Sequence, residues 1–122
     1  MDIRNGFTTV IVSDMDNAVK FYTEALGFKL TRRFNSDYAY MDAPGFTIGL
    51  VSSILRGQHP GKCESLSIGI QVDYIEEAMK ELQTKGVVFT SDIIIEKQLK
   101  LAYFTDPDKN PLYLVSPQMP SG

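Results

Sequence analysis

The chain has one cysteine, Cys63, and one histidine, His59. A single thiol permits no internal disulfide and fits a reducing compartment. No stretch of about 18 apolar residues occurs, so no segment reads as a membrane-spanning helix. The N-terminus, MDIRNG, lacks the basic-then-apolar design of a secretory signal. No Lys/Arg cluster exceeds the pair Arg32-Arg33, and the net charge is −3 with a pI of about 5.0. Neutralising phosphates needs a basic surface, so nucleic acid is excluded as a main partner. These absences together predict a cytoplasmic protein with neither nucleic acid nor membrane as a partner.

What is present is a duplication. Thr9 to Val12 reads as an apolar strand, and Ser13-Asp14 as a helix start. Met15, Ala18, Val19, Tyr22, Ala25 and Leu26 recur at three- and four-residue steps, with Gly27 as the stop. Sixty positions on, Ile70 to Asp73 leads into Ile75, Ala78, Met79 and Leu82, with Gly86 as the stop. Ser13 with Asp16, and Asp73 with Glu76, have the spacing of capping boxes. A second echo, offset by 64, relates MDAPGFTIGLVS (Met41 to Ser52) to TDPDKNPLYLVS (Thr105 to Ser116). With 122 residues, 43% of them hydrophobic, the chain is long enough for one ordinary core or two small modules.

Each copy reads as β-α-β-β-β. In the first, strands are expected over Phe7 to Ser13, Phe28 to Phe34, Tyr38 to Met41 and Phe46 to Ser52, with a helix over Asp14 to Leu26. In the second they are expected over Ser65 to Val72, Val87 to Ile95, Leu99 to Thr105 and Leu112 to Val115, with a helix over Tyr74 to Lys85. Residues 53–64, with two glycines and a proline, read as a linker. The expectation is one α+β domain of 122 residues: module one at 7–52, the linker, and module two at 65–117.

Alternation along the strands assigns the faces. Thr8, Val10 and Val12, Phe46, Ile48 and Leu50, Leu66 to Val72 at even positions, and Leu112 and Leu114 would bury against the helix stripes. The odd set (Phe7, Thr9, Ile11, Thr47, Gly49, Ser67, Gly69, Gln71, Tyr113) would line the other face, which a helix leaves free for water, another sheet or a ligand. Tyr103 joins this set by parity, whereas Tyr38 and Tyr40, being even, would lie under the helix.

TVIVSDMDNAVKFYTEALGF, its echo IQVDYIEEAMKELQTKGV, and FTDPDKNPLYLV resemble the signature segments of the vicinal oxygen chelate superfamily, which includes glyoxalase I, extradiol dioxygenases and the fosfomycin and bleomycin resistance proteins. The resemblance spans residues 7–116. It implies tandem β-α-β-β-β modules forming a curled eight-stranded mixed sheet, a cup often completed across a homodimer. It also implies four repeat-related positions where the metal-using members place His, Gln or Glu ligands. Carried over through the S-D and D-P-D landmarks, these fall on Phe7, Gly49, Ser67 and Tyr113. Phe and Gly carry no side-chain donor, a serine hydroxyl is weak, and a tyrosine would need deprotonation. The resemblance therefore implies a member without a metal cofactor, most like the bleomycin-resistance type.

The expected function is sequestration of a small, partly aromatic ligand in the cup. Phe7, Gly49, Ser67, Gly69, Tyr103 and Tyr113 would line the site, and Gln71 and Thr9 would supply hydrogen bonds. The acidic balance of the whole chain favours a cationic ligand over an anionic one. The alternative is a lyase, isomerase or dioxygenase of the same superfamily, either metal-free through Tyr113 or with relocated ligands. A third reading is a module that only dimerises or docks, with Phe7 and Tyr113 filling the cup. His59 and Cys63, with Glu64 as the neighbouring third group, read as an incidental pair in a solvated loop. Asp106, Asp108 and Asn110 imitate the start of a calcium loop, but Pro111 stands where that loop needs glycine, and the segment reads as a turn.

Overall fold

A computed structural model describes residues 1–4, 6–61 and 66–117. Cys63, Glu64, Ser65 at the start of the expected fifth strand, and the tail beyond Pro117 lie outside the described residues. The chain divides into two units, Met1–Lys62 and Cys63–Gly122.

In the first unit, β1 (Thr8–Val12) is followed by α1 (Met15–Lys20), which continues into a wider π-type turn at Phe21–Ala25. Then come β2 (Lys29–Phe34), β3 (Tyr38–Ala43) and β4 (Phe46–Ser52). The four strands form a mixed sheet in the order β1-β4-β3-β2, with β1 parallel to β4 and the other pairs antiparallel. Val10, Leu50 and Ala39 lie side by side across three strands, as do Ile48 and Met41 across two. All five are buried beside Met15, Ala18, Val19, Tyr22 and Ala25 of the helical segment. Asp14, rather than Ser13, caps α1 by accepting from the Asn17 N–H at 3.0 Å. The widened turn closes with the Leu26 N–H donating five residues back to Phe21 O at 3.2 Å. Gly27 then takes a φ of 79°, which ends the helix.

The second unit repeats the plan. β5 (Ile68–Gln71), α3 (Ile75–Thr84), β6 (Ile94–Glu96), β7 (Leu99–Thr105) and β8 (Pro111–Pro117) give a sheet in the order β5-β8-β7-β6, with β5 parallel to β8 and the other pairs antiparallel. Ile70, Leu114 and Ala102 form one helix-side row, and Ile68, Leu112 and Phe104 the next. The eight strands thus form two mixed sheets of four in an α+β fold.

The structure corrects several expectations. The linker contains a short helix, α2 (Ser53–Arg56), started by the Ser52 hydroxyl accepting from the Ile54 N–H at 3.2 Å and stopped by Gly57 at φ 71°. The expected strand Val87 to Ile95 shrinks to Ile94–Glu96 plus an isolated bridge between Phe89 and Phe104. Side-chain hydroxyls explain the break. Ser91 Oγ accepts from the Tyr103 N–H at 3.0 Å, and Thr90 donates to Tyr103 O through both its N–H and its hydroxyl. The capping box at α3 does not form: Tyr74 occupies the N-cap with no side-chain hydrogen bond. Glu76 instead pairs with Lys100 on β7 at 2.7 Å, much as Asp16 pairs with Arg33 on β2. Each pair ties the first turn of a helix to its own sheet.

The loop before β8 is organised by Asp106, only 3% exposed. Its Oδ1 accepts from the Asp108 and Asn110 N–H groups and its Oδ2 from Asn110 Nδ2, each at 2.9 Å. Its carboxylate is therefore directed at the turn itself, which agrees with the turn reading of this segment. Asp106→Ala leaves these donors unmatched and should lower unfolding free energy by on the order of 2 kcal/mol, measured by urea denaturation. The hydrogen bond from Lys100 holds the Glu76 carboxyl below its usual value. A depressed carboxylate contributes stability above its unfolded value, and that contribution is lost as pH falls through the folded one. Carboxyl-carbon NMR titration should show Glu76 ionising at lower pH than ordinary glutamates, and Lys100→Met should raise it toward the ordinary range.

Candidate functional site

The face of each sheet turned away from its helix carries the aromatic side chains singled out in the sequence. In the first unit, strand register places Thr9, Gly49, Tyr40 and Arg32 in one row across β1, β4, β3 and β2. Gly49 leaves the space that two rings occupy. A Cβ there would stand 3.1 Å from Cε1 of Tyr40 and 3.4 Å from Cδ2 of Phe7. The Phe7 and Tyr40 rings meet edge to face, with centroids 5.4 Å apart. In the second unit the same row reads Gly69, Tyr113, Tyr103. Here the ring of Tyr113 lies over Gly69, so close that a Cβ would sit 2.6 Å from its Cζ and its hydroxyl oxygen. Tyr103 packs beside Tyr113 at 5.7 Å between centroids. Both rows combine a glycine with neighbouring rings, on different strands in the two copies.

These rows place the expected residues. Phe7 and Gly49 are in contact, and Thr9 is Gly49's register partner. Gly69, Tyr103 and Tyr113 come together, whereas Gln71 lies one row further along, opposite Val115. Ser67 is exposed just before β5. Phe7 and Tyr103 are 53% and 38% exposed, so neither ring is closed into its own unit's core. His59 is exposed in the segment after α2.

The open face of the first sheet holds a groove of about 680 Å³. Its walls include Phe7, Tyr40, Phe34, Thr31 and Thr47, with Arg32 and Asp42 as its charges. Of these, only Phe7 belongs to the set expected to bind ligand; Thr47 was assigned to this face without a role. Tyr40 was expected under the helix, and the structure corrects this. Tyr40 pairs with Gly49 and Tyr38 with Val51, so both tyrosines lie on the open side while Ala39 and Met41 are buried. Parity holds within a strand, but each turn resets it. The β2–β3 register slips between Leu30 and Arg32, which sends Arg33 to the helix side and Arg32 to the groove.

The groove is polar at defined points. The Arg32 guanidinium carbon lies 5.0 Å from the centroid of the Phe34 ring. The Thr47 hydroxyl donates to Asp42 Oδ1 at 2.8 Å, and the Thr31 hydroxyl to Tyr40 O at 3.1 Å. Among the described residues no group of three or more His, Cys, Asp or Glu side chains could hold a metal ion. The four positions that the resemblance assigns to metal ligands supply an arene, a hydrogen, a hydroxyl and a phenol, which do not fit a catalytic divalent cation.

This duplicated β-α-β-β-β architecture is that of a known superfamily, and comparison makes the assignment. Residues 5–114 match the model of the Glyoxalase/Bleomycin resistance protein/Dioxygenase superfamily, and the chain belongs to it. It is similar to the crystal structure of a superfamily member from Sphaerobacter thermophilus, with 28% identity and a TM-score of 0.78 over 94% of this chain and 98% of that one. It is also similar to TnmS3, an antibiotic binding protein from Streptomyces sp. CB03234, with 26% identity and a TM-score of 0.73 over 95% and 97%. A curated relative, the lactoylglutathione lyase of Schizosaccharomyces pombe, is 28% identical over 89% of this chain. The chain spans only 46% of that protein's length.

The Gly69–Tyr113 contact has a measurable consequence. Gly69→Ala should displace the Tyr113 ring, because the atoms it meets are the far end of a side chain and not backbone. The expected result is a folded protein with altered Tyr113 ring resonances in NMR and a stability loss of about 1 kcal/mol.

Proposed function

We propose that this protein is a small-molecule binder of the superfamily, sequestering a partly aromatic ligand without a metal ion. The observation that carries the reading is the groove of about 680 Å³, walled by Phe7, Tyr40 and Phe34, on a sheet face whose glycine makes room for the rings. Ligand sites combine apolar walls with a few fixed polar groups, and Arg32, Asp42 and Thr47 supply those here. The side chains at Phe7, Gly49, Ser67 and Tyr113 give a divalent cation no adequate set of donors, which favours binding over metal-assisted chemistry. The second unit's row of Gly69, Tyr103 and Tyr113, with Ser67 and Gln71 at odd positions of the same stretch, offers a face of the same kind, and in this reading it makes ligand contacts of its own. TnmS3, described as an antibiotic binding protein, lends support by likeness. Location in the cytoplasm and assembly as a homodimer belong to the same reading.

The likeness to a lactoylglutathione lyase favours the second reading, an enzyme. One experiment separates them. Chelator-treated protein should bind planar aromatic compounds in equilibrium dialysis, and Tyr40→Ala should weaken that binding about tenfold through loss of its ring. Lactoylglutathione lyase turnover that appears on adding zinc, nickel, manganese or iron would overturn the metal-free binder.

A further inference from the structure

The geometry of the first unit's groove points to an anionic aromatic ligand, a planar ring system bearing a carboxylate or similar group, with Arg32 as the residue that selects it. This rests on the binding reading above and names its ligand class. The two ion pairs among the described residues are Arg33–Asp16 and Lys100–Glu76, so Arg32 enters neither. Its guanidinium carbon lies 5.0 Å from the centroid of the Phe34 ring, and among the described residues its N–H donors meet no acceptor, which leaves them for a guest. A planar fork presented beside aromatic walls suits a carboxylate attached to a ring, because one guest can stack on the wall and accept two parallel hydrogen bonds.

The remaining charges agree. Asp42, the acid of the groove, already accepts from Thr47, and Lys29 stands opposite it in the β2–β3 register. The cations flanking the groove therefore outnumber its carboxylate, although the whole chain carries −3. Charges more than about 10 Å away are largely screened at ordinary salt, so a guest responds to the groove and not to the total. This reverses the cationic preference that the composition suggests. Asp42 keeps a secondary role, as acceptor for a hydroxyl or amide N–H on the same guest.

The test uses three probes of one ring system: 2-naphthoate, neutral 2-naphthamide and the cation 2-naphthylmethylammonium. Each is titrated against the full-length protein by equilibrium dialysis at low and high sodium chloride. Naphthoate should bind about fivefold more tightly than the amide, the ammonium should bind most weakly, and the difference should shrink with salt. In Arg32→Gln, naphthoate and amide should converge to within about twofold, and Arg32→Lys should retain part of the preference. A thermal midpoint for each variant confirms folding. Equal affinity for all three probes, a preference for the ammonium, or a naphthoate preference that survives Arg32→Gln overturns the anion assignment while leaving a binder. No binding of any probe to the wild type overturns the binder itself and this assignment with it.

Discussion

A ring can lean over the neighbouring strand only where the residue facing it in register is small. That steric constraint governs the open faces of both units. Gly49 lies beneath the Tyr40 and Phe7 rings, and Gly69 lies beneath Tyr113. A Cβ at Gly49 would stand 3.1 Å from the Tyr40 ring and one at Gly69 2.6 Å from the Tyr113 ring, so a side chain at either glycine would push the rings out of place. The hydrogen at these positions makes a concave aromatic surface compatible with an otherwise regular ladder.

The two copies use the constraint differently. In the first unit the parallel-paired strand β4 supplies the glycine, and rings reach over it from β3 and from the residue before β1. In the second unit the glycine sits on β5, and β8 supplies the ring. Duplication fixed the frame, with the same strand order and helix placement in each half. Exchange of small and large residues within one register row then gave each half its own surface. Helix-side rows changed less: Val10–Leu50–Ala39 in one copy matches Ile70–Leu114–Ala102 in the other. A close-packed interior tolerates few changes of volume, whereas the open face has no such restriction.

Much of this was legible in the residues because strand alternation and helical spacing are short-range signals. The duplication, the helix stripes, the burial of Val10, Val12, Ile48 and Leu50, and the facing of Gly49, Gly69 and Tyr113 follow from period alone. Features set by connections were not. The phase of β3 depends on the turns that flank it, and the β2 slip between Leu30 and Arg32 leaves no local mark, so Tyr40 and Arg32 were missed as groove residues. The hydrogen bonds of Thr90 and Ser91 to Tyr103 shortened β6 in a way that β-propensity alone does not foresee. At α3, Glu76 had the spacing of a capping box, yet Lys100 from a distant strand took its carboxylate. Tertiary partners outcompete local ones where both reach the same atom.

Whole-chain composition and the charge of one groove can point to different ligands, and the reason is distance. A net charge of −3 describes a sum over 122 residues, but a guest held among Phe7, Tyr40 and Phe34 is within screening range of only a few of them. Replacing metal-ligand residues with rings also changes what binding depends on. A cation in such a site would attract oxygen donors whatever the ring beside them, whereas rings attract any flat apolar surface and discriminate poorly. In the proposed binder, selectivity would then come from the groove's few polar groups, among them the Arg32 guanidinium, 5.0 Å from the Phe34 ring centroid. In the proposed binder, the choice of ligand would fall to Arg32 on β2, outside the four positions that the resemblance assigns to metal ligands.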